Sequence, residues 1–309
     1  MAATTRARGG ASGRSPAPTR PHPRREPASV YRRRRAGCGI VVLALMLVIG
    51  TLLARACGAG TTTEETPSVA PEPTTPPLSA EGFDPAMIIS DADFTDAATM
   101  DAPAIDRFLA TWGKGCRTGA DGTPCLAAYR LDIDDRPASA SCPSPRKGGK
   151  NLTVGEVIAR TARACRINPQ VILVTLQKEQ GLITASGSSL TRTRYETAMG
   201  YGCPDGGECD PQFKGFDTQV YQAAAQWRKY MLEPASFAIR AGVPTRILHA
   251  PDPACGAQTI TVKNKATAAL YNYTPYTPTE DALAGSTEGC SAAGIGNLRF
   301  YEYWRAWFD

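Results

Sequence analysis

An uncharged, strongly apolar run extends from Gly39 to Ala54, GIVVLALMLVIGTLLA. With Ala36, Gly37 and Cys38 it makes 19 residues between Arg35 and Arg55, close to the least that spans a bilayer as a helix. Arg32 to Arg35 lie just before it, and the positive-inside rule then puts the N-terminus in the cytoplasm and everything after Arg55 outside. A removed signal peptide with Ala54-Arg55-Ala56 as its cleavage site is one alternative. A lipid anchor at Cys57 is another. All three export the rest of the chain.

Beyond the linker, apolar residues recur at helical spacing. Asp101 reads as an N-cap with Pro103 just inside the helix start, and Ile105, Phe108, Leu109 and Trp112 then share one face. Residues 130–150 are polar, with Pro, Ser and Gly, and read as a loop. Thr153 and Glu156 form a capping-box pair ahead of a helix to about Arg166, with Val154, Val157, Ile158 and Ala162 apolar. Asn168-Pro169 opens the next helix, as N-cap and first helical residue, and Gly181 stands where it should stop. Residues 182–215 read as a loop. A helix from about Asp217 to Met231 follows, with Val220, Ala224, Trp227 and Met231 as its buried stripe. Arg246–His249 and Gln258–Val262 suit a short hairpin, Ala266–Tyr271 a helical turn or two, and LRFYEYWRAWF at the end a packed aromatic helix. The pattern predicts an α+β fold, predominantly α.

These patterns divide the chain. Residues 1–35 are a basic disordered cytoplasmic tail, 36–54 the transmembrane helix, 55–80 a Thr/Pro-rich linker that extends as a semi-rigid spacer, 81–150 an N-terminal extracellular subdomain and 151–309 the main domain. The location expected is the cell membrane, single-pass, with the C-terminal domain extracellular and cleaved secretion as the alternative.

Charge changes this picture little. The net +5 comes from the first 60 residues, which hold eleven Arg and one acid; the remainder has 23 basic and 28 acidic residues. The basicity thus belongs to the tail and gives no reason to expect nucleic acid as a partner. His22 and His249 are the two His residues, which argues against a zinc site and against Ser-His or Cys-His hydrolases. No metal and no cofactor are expected.

Cysteine use agrees with export. Cys116, Cys125, Cys142, Cys165, Cys203, Cys209, Cys255 and Cys290 follow the apolar segment, an even count that reads as disulfides. Short loops favour Cys116–Cys125 and Cys203–Cys209; Cys142–Cys165 and Cys255–Cys290 use the rest. If all eight pair, no thiol nucleophile remains.

Glu179 is the residue best placed for chemistry. It lies three, four and seven residues after Leu176, Thr175 and Ile172, on one helical face. A carboxylate therefore ends an apolar stripe, where desolvation and the negative helix end both favour the protonated form. Such an acid can protonate a glycosidic oxygen.

Four motifs in order extend this reading. Asn168-Pro169-Gln170-Val171-Ile172-Leu173 leads to Glu179-Gln180-Gly181-Leu182. Thr197-Ala198-Met199-Gly200-Tyr201-Gly202 follows, then Gln219-Val220-Tyr221-Gln222-Ala223-Ala224-Ala225, then Ala269-Leu270-Tyr271-Asn272-Tyr273-Thr274-Pro275. Together they resemble the Glu-Ser-Gly-aromatic helix end, the Gly-rich loop, the Ala-rich helix and the Ala-Tyr-Asn-x-Gly-Pro segment of soluble lytic transglycosylases and goose-type lysozymes. The wording also resembles a group of exported actinobacterial proteins. Gln180 replaces the family's Ser, and Tyr201-Gly202-Cys203 replaces its Leu-Met-Gln.

The resemblance implies a lysozyme-like domain that cleaves peptidoglycan glycan strands between N-acetylmuramic acid and N-acetylglucosamine. Glu179 would be the general acid, with the substrate's N-acetyl or 6-hydroxyl group completing the displacement. Should Asp205 or Asp210 activate water instead, the outcome is hydrolysis. By analogy Tyr271 and Asn272 face Glu179, and Tyr195, Met199 and Tyr201 line the groove. The partners implied are glycan strands and, through residues 36–54, the cytoplasmic membrane. The alternative is a non-catalytic module of the same fold that grips the wall.

Overall fold

The computed structural model describes residues 72–309. The basic tail, the apolar segment 36–54 and residues 55–71 lie outside the described residues. Among those described, no helix is long and apolar enough to cross a membrane.

Local hydrogen-bond chemistry starts and stops most helices. Helix α1, Asp91–Thr95, opens on Ser90, whose hydroxyl accepts from the Asp93 amide at 3.0 Å. Helix α2, Ala102–Trp112, opens on Asp101, which accepts from the Ala104 amide at 2.8 Å. Strand β1, Arg130–Ile133, pairs antiparallel with β2, Gly149–Thr153. Helix α3, Val154–Cys165, has both halves of its capping box: Thr153 accepts from the Glu156 amide at 3.0 Å, and the Glu156 carboxylate accepts from the Thr153 amide at 2.9 Å. Helix α4, Pro169–Gln180, opens on Asn168, which accepts from the Gln170 amide at 2.8 Å, and closes on Gly181 at φ +61°. That left-handed stop suits Gly, which lacks a Cβ to clash there.

The second half repeats the logic. Helix α5, Arg192–Glu196, is short. Helix α6, Phe216–Leu232, buries Val220, Ala224, Trp227 and Met231. Strands β3, Pro244–Leu248, and β4, Ala257–Thr261, pair in five-residue register. Helix α7, Lys265–Tyr273, precedes two short helices, α8, Glu280–Leu283, and α9, Gly289–Gly294. Helix α10, Gly296–Phe308, carries the terminal aromatics.

The fold is helix-rich α+β with two small two-stranded sheets. Helix α4 packs on α3 and α10, α3 on α2 and α6, and α6 on α7. Val171, Ile172, Leu173, Val174 and Leu176 of α4 are all fully buried, each side chain stabilising by roughly 1.5–3 kcal/mol through burial. Four disulfides join Cys116–Cys125, Cys142–Cys165, Cys203–Cys209 and Cys255–Cys290. Each restricts the unfolded chain, typically worth ~2–4 kcal/mol.

Two expectations are corrected. Residues 130–150 are not a plain loop: they hold β1, the start of β2 and an antiparallel bridge between Arg136 and Arg146. Their buried positions are few, Ile133, Cys142 and Arg146, so alternation is too sparse to see. Tertiary partners hold the stretch instead, through Cys142–Cys165 and through the wholly buried Arg146, which bonds both oxygens of Asp217 on α6. Nor does a subdomain end near residue 150. One hydrophobic core runs from Ile88 through Ile105 and Leu109 to Val157, Trp227 and Trp304, and β1 pairs with β2 across that boundary.

Candidate active site

Glu179 lies in the last turn of α4, next to the Gly181 stop. Its side chain is 24% exposed. Oε1 accepts from the ammonium of Lys178, whose side chain is 3% exposed and also donates to Thr274 Oγ1 at 2.9 Å. Residues i and i+1 on a helix do not ordinarily face each other. Here Thr274, just after α7, seats the lysine so that it turns back onto its neighbour. The environment expected for Glu179 is thereby corrected. Ile172, Thr175 and Leu176 are sealed in the core, and the group at the carboxylate is an ammonium.

The second oxygen, Oε2, faces the Gly200 loop. A Cβ built on Gly200 would sit 2.9 Å from it, and Gly200 has φ +69°. Any larger residue would therefore press on the carboxylate and strain the backbone together.

Gln219 on α6 holds that loop. It is 1% exposed and its amide is fully used. Oε1 accepts from the amides of Met199 and Tyr201 at 3.1 and 3.0 Å, and Nε2 donates to the carbonyls of Tyr201 and Phe213 at 2.8 Å each. Tyr273, at the end of α7, donates to the Met199 carbonyl at 2.7 Å. Desolvation raises the Tyr273 phenol well above 10, and the negative charge of Glu179 adds to this.

In front of Gly200 opens a cleft of about 600 Å³, walled by Tyr201, Phe213, Gln226, Tyr230 and Tyr273. Its rim carries the carboxylates of Glu208 and Asp210 beside the Cys203–Cys209 disulfide. Glu179 is not part of the lining; it stands behind Gly200 at the inner edge. Asp210 caps Gln212, accepting from its amide at 3.0 Å, and Asp205 accepts from the Tyr276 hydroxyl. Burial and this carboxylate push the Tyr276 phenol up to about 12.

Of the residues expected at the site, Glu179 and Tyr201 meet there. Tyr195 does not: its ring packs on Tyr129 and Phe216, and its hydroxyl donates to the Pro124 carbonyl at 2.7 Å. The Met199 side chain is fully buried, and only its backbone serves the site. Tyr271 is fully buried, with its hydroxyl 3.3 Å from Thr277 Oγ1. Asn272 clamps Ile239, accepting from its amide at 3.2 Å and donating to its carbonyl at 2.7 Å. Tyr273, two residues past Tyr271, takes the place expected of that pair. Tyr230 and Thr274 also belong to the site and were not anticipated, whereas Lys178 and Gly200 stood in the sequence only as the neighbour of Glu179 and a member of the Gly-rich loop. An aromatic or polar residue one helical face away from the apolar stripe was the available signal for Tyr273.

Among the described residues, no group of three or more His, Cys, Asp or Glu could hold a metal ion. No family model, curated protein or solved structure matches the chain.

Proposed function

We propose that the exported part of this chain is a lysozyme-like domain that cleaves peptidoglycan glycan strands between N-acetylmuramic acid and N-acetylglucosamine. The observation that carries this is the Glu179 carboxyl group, with one oxygen held by Lys178 and the other against Gly200, a residue that lines an aromatic-walled cleft of sugar size. Clefts of a few hundred Å³ with a few convergent polar groups are the usual form of small-ligand sites.

In its acid form Glu179 gives its proton to the glycosidic oxygen as the C1–O bond breaks, so the leaving sugar departs as an alcohol, and the Lys178 ammonium holds the carboxylate that remains. The 6-hydroxyl of the muramoyl residue attacks C1 and forms the new C–O bond. Its proton returns to the Glu179 carboxylate, and the product is a 1,6-anhydro sugar. No water is consumed. Asp205 and Asp210, the candidates for activating water, are each engaged by a protein donor, which favours the internal attack.

Incubation of the full-length protein with purified sacculi tests this. Glu179→Gln is expected to lower the rate by at least about a hundredfold, the usual scale for a lost general acid, with the thermal midpoint retained. Mass analysis of the products separates anhydro from hydrated ends. The Lys178 contact supports a second reading, a wall-binding module without activity. Sacculi bound but left uncut by the wild-type chain would favour that reading over cleavage.

A further inference from the structure

The cleft does not end at Tyr230. The same ring forms one wall of a second cavity, of about 270 Å³, with Pro234, Ala241, Val243 and Ala268 as its apolar floor. Val243 and nearby Leu232 are two of the four large hydrophobic side chains exposed among the described residues. Two cations, Arg240 and Lys265, complete the lining. Neither is ion-paired among the described residues. The sign of the surface thus reverses across one tyrosine. Glu208 and Asp210 face the first cavity, and Arg240 and Lys265 the second.

A ligand that spans both must carry negative charge and small apolar groups at one end only. Unpaired cations beside an apolar floor select carboxylates through charge-assisted hydrogen bonds, while the acidic rim repels the same groups. The sugar rings of a peptide-bearing strand supply no such end, because the lactyl carboxyl of each muramoyl residue is tied up in the amide to its peptide. The peptide carried on the lactyl ether of each muramoyl residue does, through its free carboxylates and methyl side chains. We propose that the Arg240–Lys265 cavity binds the carboxylate-bearing peptide branch of the strand seated in the cleft, so that peptide-bearing strands are preferred to bare ones. This rests on the glycan-cleaving reading above.

The test compares peptide-bearing strands with strands stripped by an amidase, which keep only a lactyl carboxylate close to the sugar ring, using the full chain and the double variant Arg240→Ser, Lys265→Ser. Both side chains are exposed, so the variant should fold. The wild type is expected to show kcat/KM about tenfold or more higher on peptide-bearing strands, the scale of a hydrogen-bonded charge, and the double variant a ratio near one. No preference in the wild type, or a ratio untouched by the substitutions, overturns the inference. A parallel arm measures equilibrium binding of a soluble peptide-bearing muramoyl fragment to Glu179→Gln protein, with and without the two substitutions. Weaker binding in the triple variant supports the cavity even if neither substrate is ever cut, an outcome that would count against the cleavage reading alone. Equal binding overturns the cavity.

Discussion

Arg146–Asp217 and Lys178–Glu179 are both ion pairs with a nearly inaccessible cation, yet they are built to different ends. The Arg146 side chain is wholly buried, and Asp217 is 17% exposed. Both Asp217 oxygens are taken, by the Arg146 fork and by Arg136 at 3.3 Å, and the Tyr221 ring lies 5.1 Å from the Arg146 guanidinium carbon. In the second pair one carboxylate oxygen is held and the other lies against Gly200, which lines the cleft. A carboxylate with both oxygens engaged by guanidinium groups is a staple. One with an oxygen beside a cavity wall still has a partner to choose.

Substitutions can break this contrast. Asp217→Ala leaves Arg146 as an uncompensated buried charge and should cost about 3–5 kcal/mol in urea unfolding; a loss under about 1 kcal/mol would show that Arg146 is satisfied without it. Lys178→Met should cost less than about 1 kcal/mol, because the bared carboxylate can take water from the cleft. The rate on sacculi should nevertheless fall about tenfold, since Oε1 is no longer held in place. A stability loss as large as that of Asp217→Ala would make the two pairs alike and end the distinction.

A third pair sharpens the comparison at the exposed end. Lys263 donates to Asp84 at 2.7 Å, with 62% and 41% of the two side chains exposed. The Lys263 hydrogen bond, helped by the Ala86 amide, holds the Asp84 carboxyl below its ordinary 3.8. Its folded value lies below its unfolded one, so the contribution is present above about pH 4 and fades as pH falls through the folded value. Asp84→Asn should therefore lower the stability slightly at pH 6, by at most about 1 kcal/mol in urea unfolding, and by less at pH 2. An equal effect at both pH values would mean that the charge plays no part.

The helix boundaries were legible because their causes are local. Asp101, Thr153 with Glu156, and Asn168 with Pro169 each cap a helix within three residues of themselves, and Gly181 ends α4 as its position suggested. The two short-loop cysteine pairs were favoured by their spacing, and the structure forms them together with Cys142–Cys165 and Cys255–Cys290. Tyr271 and Tyr273 were harder to separate. Two residues on a helix are about 200° apart, so one faces the core and the other the cleft. An aromatic fits either face, and spacing alone could not say which. Lys178 was visible only as a neighbour of Glu179; that it turns back depends on Thr274, 96 residues on.

What the chain determined by itself was therefore where helices begin and end, that its cysteines pair, and which glutamate ends an apolar stripe, since capping, loop closure and periodicity act over short separations. Only the tertiary structure decided what that glutamate meets. Its oxygens are allotted by Lys178 and Gly200, its loop is latched by Gln219, and its cleft is walled by Tyr230 and Tyr273. Those elements come together through packing of α4, α6 and α7 around one core, and no local rule encodes which side chains such packing turns toward the same cavity.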